Sequence, residues 1–294
     1  MLEVPIPRTG VLHARGRDLP YGERTLVMGI INVTPDSFSG DGVGRRIDAV
    51  LARARDMVAE GADLIDVGGE STRPGAQPVD EEEELARVVP AVRALAETVP
   101  VPISVDTRKP RVAEAALRAG AHLINDVAGL QRDPGMAEVA ASFGAPVIVM
   151  HSPGEPWAVP WPAVYRDVVD DVKAYLARSL EIAVRAGLPA DQVVIDPGFG
   201  FGKSVTDNLE LLRRLGEFRK LGSPLLIGTS RKSTIGAILG RPADDRLEGS
   251  LATIALAIAE GVDIVRVHDV RASVRVARMA DAIVRGHRVP GVTR

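Results

Sequence analysis

An α/β fold closing as a single (β/α)8 TIM barrel is what this sequence predicts, and three observations point to it. Eight short apolar runs, most of them rich in Val and Ile, recur along the chain with helix-like segments between them. Each run ends on or near a polar residue, as expected where strand carboxyl ends carry a site. Gly61-Ala62, Gly120-Ala121, Gly144-Ala145 and Gly261-Val262 each precede a strand, as expected of glycine in the left-handed conformation that closes a helix. An open doubly wound sheet is the rival architecture, and eight strands in strict alternation favour the barrel.

The segment before Thr25 predicts a short N-terminal β-hairpin, with turns near Gly16 and Tyr21-Gly22, closing the amino-terminal end of the barrel. The strands then read LVMGIIN to Asn32, LIDVGG through Asp66, PISVD to Asp106 and HLINDV through Asn125. They continue as PVIVMH to His151, VVID to Asp196, PLLIGTS to Ser230 and IVRVH to His268. Between them, Arg46 to Glu60 carries Ile47, Val50, Leu51, Ala54 and Val58 at helical spacing. Glu81 to Thr98 begins acidic, which suits a helix N-terminus, and Pro110 opens the next helix. A short helix is expected near Ala137 to Phe143 and a long one over Ala163 to Ala186. Thr206 is expected to cap a helix through Leu215. Ser233 to Leu239 and Leu247 to Glu260 make a broken seventh layer, and Ala272 to Arg285 closes the chain. The expected division is a hairpin extension over 1–24, a barrel over 25–285 and a tail over 286–294.

Composition narrows the function classes. The 294 residues are 46% hydrophobic and 26% charged, ordinary for a globular protein with a full core. A net charge of −3 provides no broad basic field for nucleic acid. No apolar stretch reaches membrane-spanning length, and the start lacks a basic-then-apolar signal, so a cytoplasmic location and no membrane partner are expected. There is no cysteine, which excludes disulfides, thiolate catalysis and cysteine metal sites. Only five of the 36 basic residues are lysine, an arginine bias that GC-rich coding explains.

Asp66, Asp106, Asn125 and Asp196 break the apolar rule for strands buried on both faces. One such residue would read as a loop cap. Four at the same end of a barrel point to a shared site, because burying several polar groups without partners is costly. Asp63 and Asp263, at strand starts, read as structural. Three loops concentrate polar and conformationally special residues: Asn32 to Ser39, Gly68 to Gly75 and Asp196 to Lys203. Their places after strands one, two and six make them candidate substrate loops.

Ser230-Arg231-Lys232-Ser233 follows strand seven, and Arg266 and His268 alternate on strand eight, so an anion site is expected there. The alternatives are a solvated charge run for Arg231 and Lys232 and a core histidine for His268. His13, His122 and His287 read as structural, and His151 is open. No His/Glu pair has metal-cage spacing. Magnesium shared with a phosphate needs only one or two protein oxygens, and Asn32 and Asp36 are the plausible donors. There is no nucleophile-elbow signature, and Gly198, Gly200 and Gly202 lack dinucleotide spacing.

The runs NVTPDSFS, IDVGGESTRPGA, ISVDT, INDV, DPGFGFGK, SRKS and RVHDVR, in that order from Asn32 to Arg271, closely resemble the dihydropteroate synthase family of pterin-binding enzymes. The first and second are the most specific. Gly40-Asp41-Gly42 departs from the family's usual Asp-Gly-Gly. The resemblance implies condensation of 6-hydroxymethyl-7,8-dihydropterin diphosphate with p-aminobenzoate, assisted by Mg2+, the reaction of the folate-pathway family that sulfonamides inhibit and that is commonly homodimeric. By resemblance, Asp106, Asn125, Met150, Asp196, Phe201, Gly228 and Lys232 bind the pterin. Asn32, Arg266 and His268 hold the diphosphate, with Asn32 also on the metal. Phe38, Thr72, Arg73, Pro74 and Ser233 meet the aminobenzoate. Asp36, Arg73 and Lys232 are the implied catalytic residues, and Asp66 has a supporting role, orienting Asn32 or Arg266. A corrinoid-linked methyltransferase on a related barrel would lack the STRPG loop and SRKS cluster. A non-catalytic pterin-binding paralogue would not need Asp36, Arg73 and Lys232.

Overall fold

The computed structural model describes residues 9–33, 43–70, 78–154 and 163–286. β1 (Gly10–Ala14) and β2 (Arg17–Tyr21) form the expected antiparallel hairpin, pairing Leu12 with Leu19. Its two-residue turn places Arg15 (φ 50°) and Gly16 (φ 90°) in the left-handed region, as a tight hairpin needs.

Eight parallel strands follow: β3 (Leu26–Asn32), β4 (Leu64–Gly68), β5 (Ile103–Asp106), β6 (Leu123–Asp126), β7 (Val147–Met150), β8 (Val193–Asp196), β9 (Leu226–Ile227) and β10 (Ile264–Val267). Each pairs with its sequence neighbour from β3 to β8, while β10 lies between β9 and β3. A parallel bridge between Ile195 and Leu225, with Ile195 N donating to Pro224 O at 2.9 Å, joins β8 to the start of β9 and completes the ring. β9 keeps only two residues in regular pairing, although the run PLLIGTS is apolar over a longer span.

The helices are α1 (Val43–Glu60), α2 (Glu81–Thr98), α3 (Pro110–Arg118), α4 (Gly135–Phe143), α5 (Val168–Arg185), α6 (Val205–Arg213), α7 (Ser233–Leu239), α8 (Leu247–Ala259) and α9 (Val270–Val284). α6 is capped by Ser204 and not by Thr206. The Ser204 hydroxyl accepts from Asp207 N while Asp207 accepts from Ser204 N, a capping box that starts the helix two residues before Thr206 can serve. α5 starts at Val168, later than the expected Ala163, because Asp167 caps it by accepting from Val169 N and Asp170 N.

Strand alternation sorts the core into two bodies. Leu26, Met28, Leu64, Leu123, Ile148, Val194, Leu226 and Ile264 pack with Leu12, Ala14, Leu19 and Tyr21 of the hairpin, filling the lower barrel interior. The intervening Val27, Ile65, Val105, Ile124, Val149, Ile195, Ile227 and Val265 belong to the larger cluster shared with the helices. Asp63 accepts from Val27 N and Arg24, and Asp263 from Leu225 N, so both serve the amino-terminal face.

Candidate active site

Continuing the two-residue period upward along the interior reaches Asn32, Asp66, Asn125, Met150, Asp196, Gly228, Arg266 and His268. Asp106 joins them because Ile103 and Val105 face the helices. The barrel interior therefore changes from apolar below to polar above. Asp126 falls on the other parity and is structural: its carboxylate accepts from Ala128 N and Leu130 N, both at 2.8 Å.

Arg266 sits between two carboxylates of this upper layer. Its Nε donates to Asp66 Oδ2 at 2.6 Å and its Nη2 to Asp106 Oδ2 at 2.7 Å. Asn125 Nδ2 donates to the same Asp66 oxygen at 3.1 Å. Asp66 lies mid-strand and fully buried, and orients Arg266 and Asn125 from below. Burial pushes Asp106 up to about 7, opposed by the Arg266 charge and reinforced by Asp66. Burial alone would lower the Arg266 pKa, and Asp66 and Asp106 outweigh it. Burial likewise pushes Asp196 up to about 6, against the Gly198 N–H at 2.8 Å and the charges of Lys232, Arg266 and Lys203.

Beside these acceptors stands a small apolar cluster of Val127, Met150 and Phe201, separate from both core bodies. Lys232 Nζ lies 3.9 Å from the centroid of the Phe201 ring. A flat ring with polar edges suits such a mouth, with an apolar face, carboxylate and carboxamide acceptors opposite, and a cation at the rim.

On the β9–β10 side, Ser230 Oγ lies 3.0 Å from His268 Nδ1 and accepts from His268 N at 3.2 Å. Arg231 does not join them. At φ 59° it turns away and forms a bidentate pair with Asp269, Nε to Oδ2 at 3.0 Å and Nη2 to Oδ1 at 2.5 Å. Lys232 is half-buried and Ser233 is exposed at the start of α7. Asn32 ends β3, half-buried, with a hard carboxamide oxygen that suits Mg2+. Among the described residues no group of three or more His, Asp or Glu could hold a metal by itself.

Asp36, Phe38, Thr72, Arg73, Pro74 and the Gly40-Asp41-Gly42 departure lie outside the described residues. The root of the second loop is well tied. Glu70 accepts from Val79 N at 3.0 Å, from Arg108 Nε at 3.3 Å and from Lys109 Nζ at 3.2 Å. Burial would raise the Glu70 pKa, and these donors bring it below the ordinary value.

Comparison with known proteins gives the family. The pterin binding enzyme family matches residues 28–268. A dihydropteroate synthase of Bacillus subtilis (strain 168) is 46% identical over 284 residues, covering 97% of each chain. The chain belongs to the dihydropteroate synthase family. A Xanthomonas albilineans dihydropteroate synthase solved with 4-aminobenzoic acid superposes with a TM-score of 0.88 at 44% identity, over 94% of this chain and 98% of that one. The same organism's enzyme in complex with 7,8-dihydropteroate gives 0.83 at 41% identity, over 93% and 98%. Among the described residues, no helix of this family member is long and apolar enough to cross a membrane.

Two residues at this site lie within the quoted motifs INDV and DPGFGFGK but carry no role in the sequence reading. Val127 continues the interior parity of Leu123 and Asn125, a signal present in the chain but hidden by its place beyond the strand end. Lys203 closes the third loop and looks like a solvated terminus, yet it is buried.

Proposed function

We propose that this chain catalyses dihydropteroate synthesis: the amine of p-aminobenzoate displaces pyrophosphate from 6-hydroxymethyl-7,8-dihydropterin diphosphate. The observation that carries the reading is the polar upper layer, where Asp106, Asn125 and Asp196 gather beside the Val127–Met150–Phe201 face under Lys232. The pterin's amino and ring N–H groups are assigned to those three acceptors, and its carbonyl edge to Lys232. Gly228 adds no side chain on the interior parity. A Cβ there would stand 3.7 Å from Arg266 Cβ, in ordinary contact with the stem of that side chain.

The diphosphate is assigned to His268, Asn32 and the Nη1 edge of Arg266, whose Nε and Nη2 already engage the two aspartates. Mg2+ bound by Asn32 would supply charge neutralisation for the leaving group. The C–O bond breaks first and pyrophosphate leaves with the electron pair. The exocyclic carbon becomes a cation delocalised into the dihydropterin, and the aniline nitrogen then forms the C–N bond and sheds a proton. An aniline is nucleophilic at neutral pH, so no activated protein nucleophile is required. Ser233, exposed at the start of α7, is assigned to the aminobenzoate carboxylate. Phe38, Thr72, Arg73 and Pro74 are assigned to closing over the second substrate, with Asp36 and Arg73 as partners between the two loops.

The deciding experiment follows pyrophosphate release from the pterin diphosphate with Mg2+, with and without p-aminobenzoate, and identifies the product by mass. Aminobenzoate-dependent release with dihydropteroate as product is expected. Pterin binding without release would move the reading to a non-catalytic paralogue. We also propose a homodimer, supported by Leu256 on α8 and by Met279 and Ile283 one turn apart on α9, all exposed on packed neighbouring helices. Sedimentation is expected to give twice the chain mass, and Leu256→Asp to reduce it to one chain; a monomeric parent protein would refute this.

A further inference from the structure

The loop after β8 ends on Lys203, a buried amine that the chemistry above leaves without a task. Its Nζ lies 2.8 Å from Gly198 O, 3.0 Å from Phe201 O and 2.9 Å from His151 Nδ1. Three acceptors match the three protons of an ammonium, provided the imidazole is neutral with its hydrogen on Nε2, the tautomer this network requires. The backbone winds around the amine through three left-handed glycines, Gly198 (φ 70°), Gly200 (φ 82°) and Gly202 (φ 59°). At Gly198 a Cβ would stand 2.0 Å from His151 O, so the loop and the end of β7 meet too closely for any other residue.

The surroundings hold this arrangement from both sides. His151 is packed edge-on against Tyr175 at 4.8 Å between centroids, and Tyr165 donates its hydroxyl to Gly202 O at 3.0 Å. Gly200 N donates to Asn208 Oδ1 at 2.7 Å. On the opposite side of the loop, the Phe201 ring carries Lys232, whose Cδ passes beside Gly200. Displacing the Phe201 carbonyl would therefore move both the apolar face and the cation assigned to the pterin.

We infer that Lys203 is a positioning residue for the pterin site, an ammonium strut that ties the end of β7 to the loop after β8, sets Phe201 beneath Lys232, and holds positive charge behind Asp196. The inference rests on the pterin-site reading given above. The charges facing Asp196 are Lys232, Arg266 and Lys203, and those facing Lys203 are Asp196, Lys232 and Asp207. Burial brings Lys203 down to about 7, and burial with the Lys203 charge brings His151 down to about 2, so the imidazole stays neutral at any working pH. Removing the Lys203 charge deletes one of the influences that keep Asp196 ionised. The Asp196 pKa then rises, and pterin recognition is lost at a higher pH on the acid side.

Lys203→Met keeps the length of the side chain and removes the charge and all three hydrogen bonds. It is expected to weaken calorimetric pterin binding and raise the KM for pterin diphosphate by about tenfold, the scale of one lost charged hydrogen bond. The KM for p-aminobenzoate should change far less, and the acid limb of kcat/KM for the pterin substrate should move to higher pH. His151→Leu should repeat the binding defect, and His151→Asn, which returns an acceptor, should recover part of it. This pair decides the question if Lys203→Met does not fold. Unchanged pterin binding with an unmoved acid limb, or no difference between the two His151 variants, would overturn the inference while leaving the synthase reading intact. Wild-type protein that binds pterin without turnover would defeat the synthase reading, and the binding constants would still judge Lys203. Wild-type protein that binds no pterin would defeat both.

Discussion

Arg266→Met is expected to cost the protein about 3 kcal/mol of stability or more, as well as its turnover, because breaking a buried ion pair by removing one partner typically costs about 3–5 kcal/mol. The guanidinium lies 2.6 Å from Asp66 Oδ2 and 2.7 Å from Asp106 Oδ2, and among the described residues nothing else of positive charge touches that pair. Asp66 Oδ1 already has no hydrogen-bond partner among the described residues. Without Arg266 two carboxylates would sit side by side on the neighbouring strands β4 and β5, with Asn125 the one side chain among the described residues that donates to either of them. Such a loss is a large share of the roughly 5–15 kcal/mol that holds a domain together.

The pH dependence of that loss distinguishes charge from packing. Asp106 is raised from 3.8 to about 7 in the folded protein, chiefly by burial. Between those values the folded state holds a proton that the unfolded state has released, so this group's contribution falls as pH rises through the window. Arg266 is the main influence opposing the rise, and deleting it lifts the folded pKa further. The variant's deficit should therefore be greatest above pH 7 and shrink toward pH 5, where Asp106 can be neutral. Urea denaturation of parent and variant at pH 5.5 and pH 8 measures the difference. A deficit equal at both pH values would mean that the Asp106 charge contributes nothing to it, leaving the Asp66 pair and packing as its source. Lysine is a poor substitute, since one ammonium cannot reproduce a fork that meets two carboxylates with two separate edges.

What was legible in the chain follows from what period and chemistry can encode. Alternation along each strand tells which residues face inward, and polar residues on the inward parity then have to lie in one layer. That logic places Asp66, Asp106, Asn125 and Asp196 together without any knowledge of their contacts. It does not tell who touches whom. Asp66 meets Arg266 and Asn125 and makes no hydrogen bond to Asn32, because pairing across a barrel depends on the stagger of strands, and chain order is silent on stagger. Nor does charge reveal direction: Arg231 and Lys232 are adjacent, and a left-handed backbone at Arg231 sends one to Asp269 while the other reaches Phe201. Lys203 was least legible of all. A lysine at the end of a glycine-rich loop has every reason to be solvated, and its burial depends on carbonyls and an imidazole supplied by the loop itself and by β7.

Lys232→Ala is expected to lower kcat/KM for the pterin substrate by more than tenfold while leaving the fold intact. The amine stands 3.9 Å above the Phe201 ring and its charge opposes the protonation of Asp196. A hydrogen bond from an ammonium to the pterin carbonyl is worth about 1.5–3 kcal/mol, or roughly 10- to 150-fold in affinity. The backbone of Lys232 belongs to the fold in a way its amine does not. Its carbonyl accepts from Ile235 N at 3.1 Å at the start of α7, and alanine can keep that bond. The two effects of the amine separate by pH. Loss of the direct hydrogen bond lowers affinity at every pH, whereas loss of charge beside Asp196 moves the acid limb upward. Arginine would restore charge, and its stem could follow that of Lys232 past Gly200, but a planar guanidinium does not reproduce a compact ammonium. Its bulkier planar head is therefore expected to recover the acid limb more than the affinity. Steady-state kinetics across pH, with circular dichroism to confirm folding, reads both effects. Wild-type kinetics in a folded Lys232→Ala protein would remove this amine from the pterin site and leave it as a cover for the Phe201 ring.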